Sequence, residues 1–292
     1  MPDLITSNMV IELIKQDIDD TSHIFKAVSN SMLPLVLDRV RYDEFFGKLQ
    51  GRVGNLQGKR ILEVGSGYGM MIVHGCLNYG LNMQGLEPSK QGFEGRYEIA
   101  QKLLLDNGLD SSRIACGLGE YIPFPDESFD VVCSFQVLEH VQDPFKVLSE
   151  SWRVLKQGGV LYCDAPNYRT FWEGHYNIPW IPGMPKRMAK IYVQLWGRDS
   201  SYIDHLNFLN QPQMERWLKQ ICNFPIEDDF GLSHWVRRML SPTFSVYANQ
   251  RLMRFVRIGS RLGIVPLIAA IGWWLKWQDM LLFTIKKPVR HD

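Results

Sequence analysis

Residues Arg60 to Gly69 read Arg-Ile-Leu-Glu-Val-Gly-Ser-Gly-Tyr-Gly, an apolar run that ends with Gly65, Gly67 and Gly69 at every second position. A helix-compatible stretch, Met70 to Tyr79, follows. Strand, glycine turn and helix in that order make a cradle for an anion or a nucleotide. Glycine admits a ligand closer than a Cβ would, and a helix start offers unpaired N–H groups. Glu87 lies about twenty residues further on, at the end of the next predicted strand. Its carboxylate can accept both hydroxyls of a ribose, in hydrogen bonds worth about 1.5–3 kcal/mol each. Loop and acid together locate a nucleoside without choosing the cofactor. Met70 stands where the third glycine of a G-x-G-x-x-G dinucleotide fingerprint would fall.

The elements that hold these residues alternate between strand and helix from Lys59 onward, which predicts a parallel sheet with crossover helices. Strands are expected at Ile61–Val64, Asn82–Glu87, Arg113–Gly117, Asp130–Phe135 and Gly159–Asp164, with Ile226–Gly231 as a sixth and Met280–Lys287 closing the sheet. Residues 1–50 read as amphipathic helices that either pack beside the sheet or cap the nucleoside pocket. Three segments result: helical 1–50, a cofactor-binding core 51–168, and a C-terminal part 169–292 with substrate-side insertions and the closing strands. About fifty residues separate the last two strands, too many for a turn, which predicts an insertion or lid.

Charge and cysteine usage narrow the function classes. The net charge is +1, yet Leu232–Asp292 holds 10 Lys and Arg against 2 acids. An acidic body with a basic, Trp-rich tail gives no reason to expect a nucleic-acid partner. Cys76, Cys116, Cys133, Cys163 and Cys222 are scattered with no C-x-x-C pair, which argues against zinc fingers and a disulfide framework. With no apolar run behind a basic start, the expected location is cytoplasmic.

The acid-x-Gly-x-Gly-x-Gly pattern from Glu63 to Gly69 resembles motif I of the class I S-adenosylmethionine (SAM) methyltransferases, whose loop wraps the amino-acid end of SAM. Gly117 to Val132 resembles that family's G-D-A-E-x-L-P-F-P-D-x-S-F-D-V-V, and Arg153 to Leu161 its R-V-L-K-P-G-G-x-L turn. The resemblance, to the group around the ubiquinone and menaquinone enzymes, covers residues 55–168. Asp204 to Pro212 extends it as an H-x-x-F-x-T-P-like segment. It implies a Rossmann-like, seven-stranded, mostly parallel α/β sheet with helices on both faces. It also implies SAM as cofactor, held by Glu63, Gly65, Ser66, Gly67, Gly69, Glu87, Leu118, Gly119, Phe135 and Gln136. Leu118 replaces the family's adenine-reading Asp, so backbone groups of Leu118 and Gly119, with Glu120, take that contact. Some quinone O-methyltransferases of the family carry E-x-x-E-H at this place and hold a metal ion with it. Here Gln136 replaces the first Glu beside Glu139 and His140, and no metal is expected.

The chemistry implied is in-line transfer of the sulfonium methyl to a small or lipid-linked acceptor, a hydroxyl of a glycan or a quinone-like ring. A hydroxyl acceptor needs a base. His140, His175 and His205 are the candidates, the last two lying in substrate-side segments. The insertion Asn167–Trp196 carries Tyr168, Phe171, Trp172, Tyr176, Trp180, Tyr192 and Trp196, which either pack it or stack on an acceptor, and it resembles segments of polysaccharide-cluster methyltransferases. Leu262–Leu275 is uncharged and too short to span a bilayer. Flanked by Arg251, Arg254, Arg257, Arg261 and Lys276 with Trp273, Trp274 and Trp277, it suits a lid or a helix lying on an anionic membrane, a peripheral contact through 251–277 at the inner face. The alternatives are a nicotinamide-dependent oxidoreductase and a non-catalytic, membrane-associated scaffold on the same fold.

Overall fold

The computed structural model describes residues 7–20, 29–89, 95–240, 259 and 262–289. Arg251, Arg254, Arg257 and Arg261 lie outside them. Three helices, α1 (Asn8–Asp20), α2 (Ser29–Leu37) and α3 (Arg39–Val53), precede β1 (Arg60–Val64), α4 (Met70–Tyr79), β2 (Asn82–Glu87), α5 (Arg96–Asp106), β3 (Ile114–Cys116) and β4 (Phe129–Phe135). Then come α6 (Pro144–Val154), β5 (Leu155–Pro166), a small hairpin of β6 (Trp172–Glu173) and β7 (Ile178–Pro179), α7 (Lys186–Leu195) and α8 (Gln211–Cys222). The C-terminal part adds α9 (Leu232–Leu240), α10 (Ile264–Leu275) and β8 (Met280–Lys286).

The main sheet has six strands in the order β3-β2-β1-β4-β5-β8. The first five run parallel and β8 pairs antiparallel with β5. Side chains alternate across it. Ile61, Met83, Val131, Cys133 and Tyr162 face α1, α3, α4 and α5 in one core, while Leu62, Val64, Leu86, Val132 and Leu161 face α6 and α8 in the other. Glu63, Glu87 and Phe135 share parity with the first set, so period-two geometry puts all three on the face that the N-terminal helices cover.

The sheet is one strand short of the expected seven because Ile226–Gly231 is irregular. Its two aspartates capture the amides a strand would need. Asp228 accepts from Phe230 N–H at 2.7 Å, and Asp229 from Gly231 and Ser233 N–H at 3.0 and 2.9 Å. Asp228 also accepts from Thr284 N–H of β8 at 3.0 Å, so a side chain covers part of the edge a neighbouring strand would have covered.

The insertion is not wholly irregular. Tyr168, Tyr176 and Trp180 fill a third core with Ile178, Ala189, Val193 and Ile203, while Phe171, Trp172 and Trp196 are exposed. In α10, Val265, Ala269 and Gly272 form a buried stripe, and a Cβ at Gly272 would lie 2.4 Å from the Trp235 ring of α9. Its opposite stripe, Leu267, Ile271 and Trp274, is exposed, Trp274 by 79%. All five cysteines are free thiols. Among the described residues no helix is long and apolar enough to cross a membrane.

Candidate active site

A cavity of about 500 Å³ opens at the carboxyl ends of the parallel strands, where open α/β sheets bind ligands. Its wall follows the strand order. Glu87 comes from β2, Glu63 with Gly65, Ser66 and Gly67 from β1 and its turn, Phe135 and Gln136 from β4, and Tyr162 and Asp164 from β5. Leu118 and Gly119 complete the β3 side. Helix α3 closes the face, lending Arg41, Tyr42, Phe45 and Lys48 to the wall while burying Phe46 and Leu49 beneath. The N-terminal segment does both things expected of it: α1 packs Val10, Ile14 and Ile18 into the core beside the sheet, while α3 lines the cavity. No residue of α10 lines this cavity.

The turn after β1 is built from left-handed residues, with φ of +76° at Gly65, +54° at Gly67 and +73° at Gly69. Gly65 N–H and Ser66 N–H both donate to the Leu86 carbonyl, at 2.8 and 3.1 Å, which ties the turn to β2. A Cβ on Gly65 would stand 2.3 Å from Val137 Cγ2, whereas one on Gly67 would meet open space. Gly67 is therefore the residue that leaves room for a ligand. Gly69 does not line the cavity; it is the left-handed N-cap of α4, and a Cβ there would lie 2.8 Å from Ile114 Cδ1. Its place is structural packing next to the site.

Two buried carboxyls, Glu63 and Glu87, line the β1–β2 end of the cavity. Glu87 accepts the Gly67 N–H at 2.7 Å, and burial pushes its pKa up to about 7 against the pull of that hydrogen bond and of Arg96. Burial, and then the Glu87 charge, push the Glu63 carboxyl well above the ordinary range. Glu63 Oε2 has no hydrogen-bond partner, an orphaned buried acceptor facing a cavity that a cationic or hydroxyl-bearing ligand would satisfy. Arg96, over the Tyr68 ring at 5.1 Å and held by Asp17 at 3.1 Å, lines the same cavity and had no signal in the sequence. Glu120 is less available than its position suggested, because Gln142 and Asp143 N–H donate to it at 2.9 and 3.2 Å.

Further along, Gln136 sits at φ +52° with its Nε2 donating to Asp164 Oδ1 at 2.8 Å. Phe45, Phe135 and Tyr162 form an aromatic wall: Phe45 packs edge-on against the other two, 3.9 Å from Phe135 between centroids, and Phe135 and Tyr162 are tilted by 41°. The three candidate histidines separate. His140 lines the cavity; His175, delivered by the β6–β7 hairpin, is not part of the lining and stands behind His140, with Nε2 3.4 Å from His140 Nε2. His205 is exposed at the end of a 3-10 turn and lines no part of the cavity. Glu173, which accepts from His175 Nδ1 at 2.7 Å, is a further buried group that sequence reasoning passed over.

Comparison with known proteins agrees with this geometry. A family model described as a methyltransferase domain matches residues 62–163. Ajmaline N-methyltransferase of Rauvolfia serpentina is 31% identical over 238 residues, 80% of this chain and 72% of the relative. Ubiquinone biosynthesis O-methyltransferase of Vibrio atlanticus is 31% identical over 66% of this chain and 73% of its own length. The match to a Mycolicibacterium smegmatis protein described as a candidate SAM-dependent methyltransferase is 49% identical but covers 39% of this chain and 35% of the relative. A structure from Galdieria sulphuraria, described as a candidate sarcosine dimethylglycine methyltransferase, shares the fold over 85% of this chain and 86% of its own, with a TM-score of 0.52 at 17% identity. The chain belongs to the class I SAM-dependent methyltransferases, and SAM is the cofactor its glycine turn and strand-end acid fit.

If Glu87 is the ribose acceptor that the sequence leads one to expect, its raised pKa predicts a pH dependence of SAM binding. The carboxylate form accepts ribose hydroxyls best, and its fraction rises with pH through about 7. Arg96, Asp17 and Glu63 are the charged or titratable groups around it. SAM affinity is therefore expected to fall by up to tenfold per pH unit below that value, measured by calorimetry from pH 5 to 9. The empty protein behaves oppositely. A carboxyl whose folded pKa exceeds its ordinary 4.5 loses stability as pH rises from there through about 7.

Proposed function

We propose that the chain transfers the SAM methyl in line to a hydroxyl of a small or lipid-linked acceptor, a glycan or quinone-like ring. The S–CH3 bond breaks as the O–CH3 bond forms, and the hydroxyl proton leaves. The observation that carries this reading is the two-ended cavity. Glu63, Gly67 and Glu87 fit the nucleoside and its methionine tail, while the Phe45, Phe135 and Tyr162 wall with His140 offers a flat, mostly apolar surface to an acceptor. Alignment of donor and acceptor in such a pocket supplies about 7–11 kcal/mol of the barrier. His140, with His175 behind it, is the proposed partner of the acceptor hydroxyl.

A lipid-linked acceptor is favoured by the exposed apolar surface. Leu267, Ile271 and Trp274 of α10 and Met188, Ile191 and Leu195 of α7 are exposed, with Lys276, Arg187 and Lys190 nearby in sequence. Phe171 of the insertion, itself exposed, packs on Trp277 just after α10 at 4.6 Å between centroids. Apolar stripes with interspersed basic residues suit an anionic membrane surface. The test incubates the chain with methyl-labelled SAM and separated aqueous and solvent-extracted fractions of a bacterial lysate. Label in the extracted fraction is the expected result. Label only in water-soluble products would refute the lipid linkage, and no incorporation into either fraction would refute methyl transfer.

A further inference from the structure

We propose that the acceptor end of the cavity seats a cationic, amine-bearing group on the Asp164 carboxylate, beside the wall of Phe45, Phe135 and Tyr162. The sheet brings these residues together. Tyr162 and Asp164 are two residues apart on β5 and share a face, and Asp164 is the register partner of Phe135 on β4. Phe45 of α3 packs edge-on against both rings, and all four residues line the cavity. The Asp164 side chain accepts from Gln136 N–H at 3.2 Å and from Gln136 Nε2 at 2.8 Å, and both bonds end on Oδ1. Oδ2 accepts none from any described residue, and no Lys, Arg or His among them forms an ion pair with Asp164. A poorly solvated carboxylate oxygen beside aromatic rings is the environment that holds an ammonium. The oxygen takes the charge and the rings pack the carbon atoms around it.

SAM does not account for this carboxyl. Its sulfonium and ammonium belong to the donor end, where Glu63 offers its own unpartnered Oε2. Across β4, Glu63 is level with Tyr162, and Asp164 lies two residues further out. Two strand spacings and two residues of rise put the Glu63 and Asp164 backbones roughly 10–12 Å apart, which leaves room for a second cationic centre beside the donor. Burial pushes the Asp164 pKa up, against the pull of the Gln136 hydrogen bonds and of the Arg41 and Lys48 charges. Those two are exposed residues of α3 that also line the cavity, and they define the rival occupant, an anionic acceptor. The cation is favoured because Asp164 is the less solvated group, and a poorly solvated charge gains more from a partner than an exposed one does. The substrate class is then an amine-bearing form of the acceptor, an amino sugar or an aminated ring. Naming the occupant as the acceptor rests on the methyl-transfer reading; binding of a cation at Asp164 does not.

The full-length chain, with and without saturating S-adenosylhomocysteine, is titrated by calorimetry near neutral pH with three probes of similar size. These are 2-phenylethylammonium, the neutral 2-phenylethanol and the anionic phenylacetate. The ammonium should bind about tenfold more tightly than the alcohol, and phenylacetate more weakly than either. Asp164→Asn keeps the volume and can still accept from Gln136, so it should remove the ammonium preference and leave the affinity for S-adenosylhomocysteine unchanged. Equal affinity for ammonium and alcohol, or tighter binding of phenylacetate, would overturn the site. A preference that survives Asp164→Asn would do the same. An ammonium preference that disappears when S-adenosylhomocysteine is bound would assign Asp164 to the donor's own ammonium, and this too would overturn it. The comparison of the three probes on the wild-type chain holds even where the Asn variant folds poorly. No readout involves methyl transfer, so failure here is separable from failure of that reading.

Discussion

Glu87→Gln is expected to weaken SAM binding by about 10²-fold, and Glu87→Ala by about 10²–10⁴-fold, while the fold survives in both. Two hydrogen bonds from ribose hydroxyls to a carboxylate are worth roughly 1.5–3 kcal/mol each, and a neutral amide retains only part of that. Glutamine keeps the volume and can still accept the Gly67 N–H that Glu87 holds at 2.7 Å, so the turn has no reason to move. The stability signature runs the other way. Ionising a carboxyl whose folded pKa is about 7 disfavours the empty protein at pH 8, so the glutamine variant should melt no lower than wild type there. Calorimetry with SAM and thermal melting at pH 8 read both. Affinity within threefold of wild type would show that the acid does not grip the nucleoside.

Gly65→Ala is expected to destabilise the protein by about 2–5 kcal/mol, through two separable causes. An L residue at φ +76° carries roughly 1–2 kcal/mol of backbone strain. The new Cβ would also stand 2.3 Å from Val137 Cγ2, and relieving such overpacking typically costs about 1–3 kcal/mol. Adding Val137→Ala should recover the steric part and leave the backbone part. Chemical denaturation of the single and double variants checks this. A Gly65→Ala protein as stable as wild type would mean that the turn is not held as described. Gly67→Ala makes the contrast: its Cβ meets open space, so it pays the φ strain alone and takes room from the ligand.

Legibility in the sequence followed how local each cause is. The β1 turn reads directly because only glycine suits the left-handed positions at 65, 67 and 69. Glu87 reads because a strand end and a fixed distance place it. Gly69 was read with the ligand-binding residues since pattern alone does not tell a glycine that faces ligand from one that faces Ile114. The failed strand at Ile226–Gly231 looked apolar at its ends, but Asp228 and Asp229 capture the local amides, a competition that hydrophobic pattern does not register. The aromatic cap of α3 and the pairing of His140 with His175 needed the tertiary fold. His140 and His175 are 35 residues apart, and only the hairpin brings their rings together.

The measurement closest to the central claim is the crystal structure of the chain soaked with S-adenosylhomocysteine. Density filling the cavity, with the ribose hydroxyls on Glu87 and the amino-acid tail beside Gly67 and Glu63, is the predicted result. A cavity still empty at saturating ligand, or a ligand seated elsewhere on the molecule, would contradict the account.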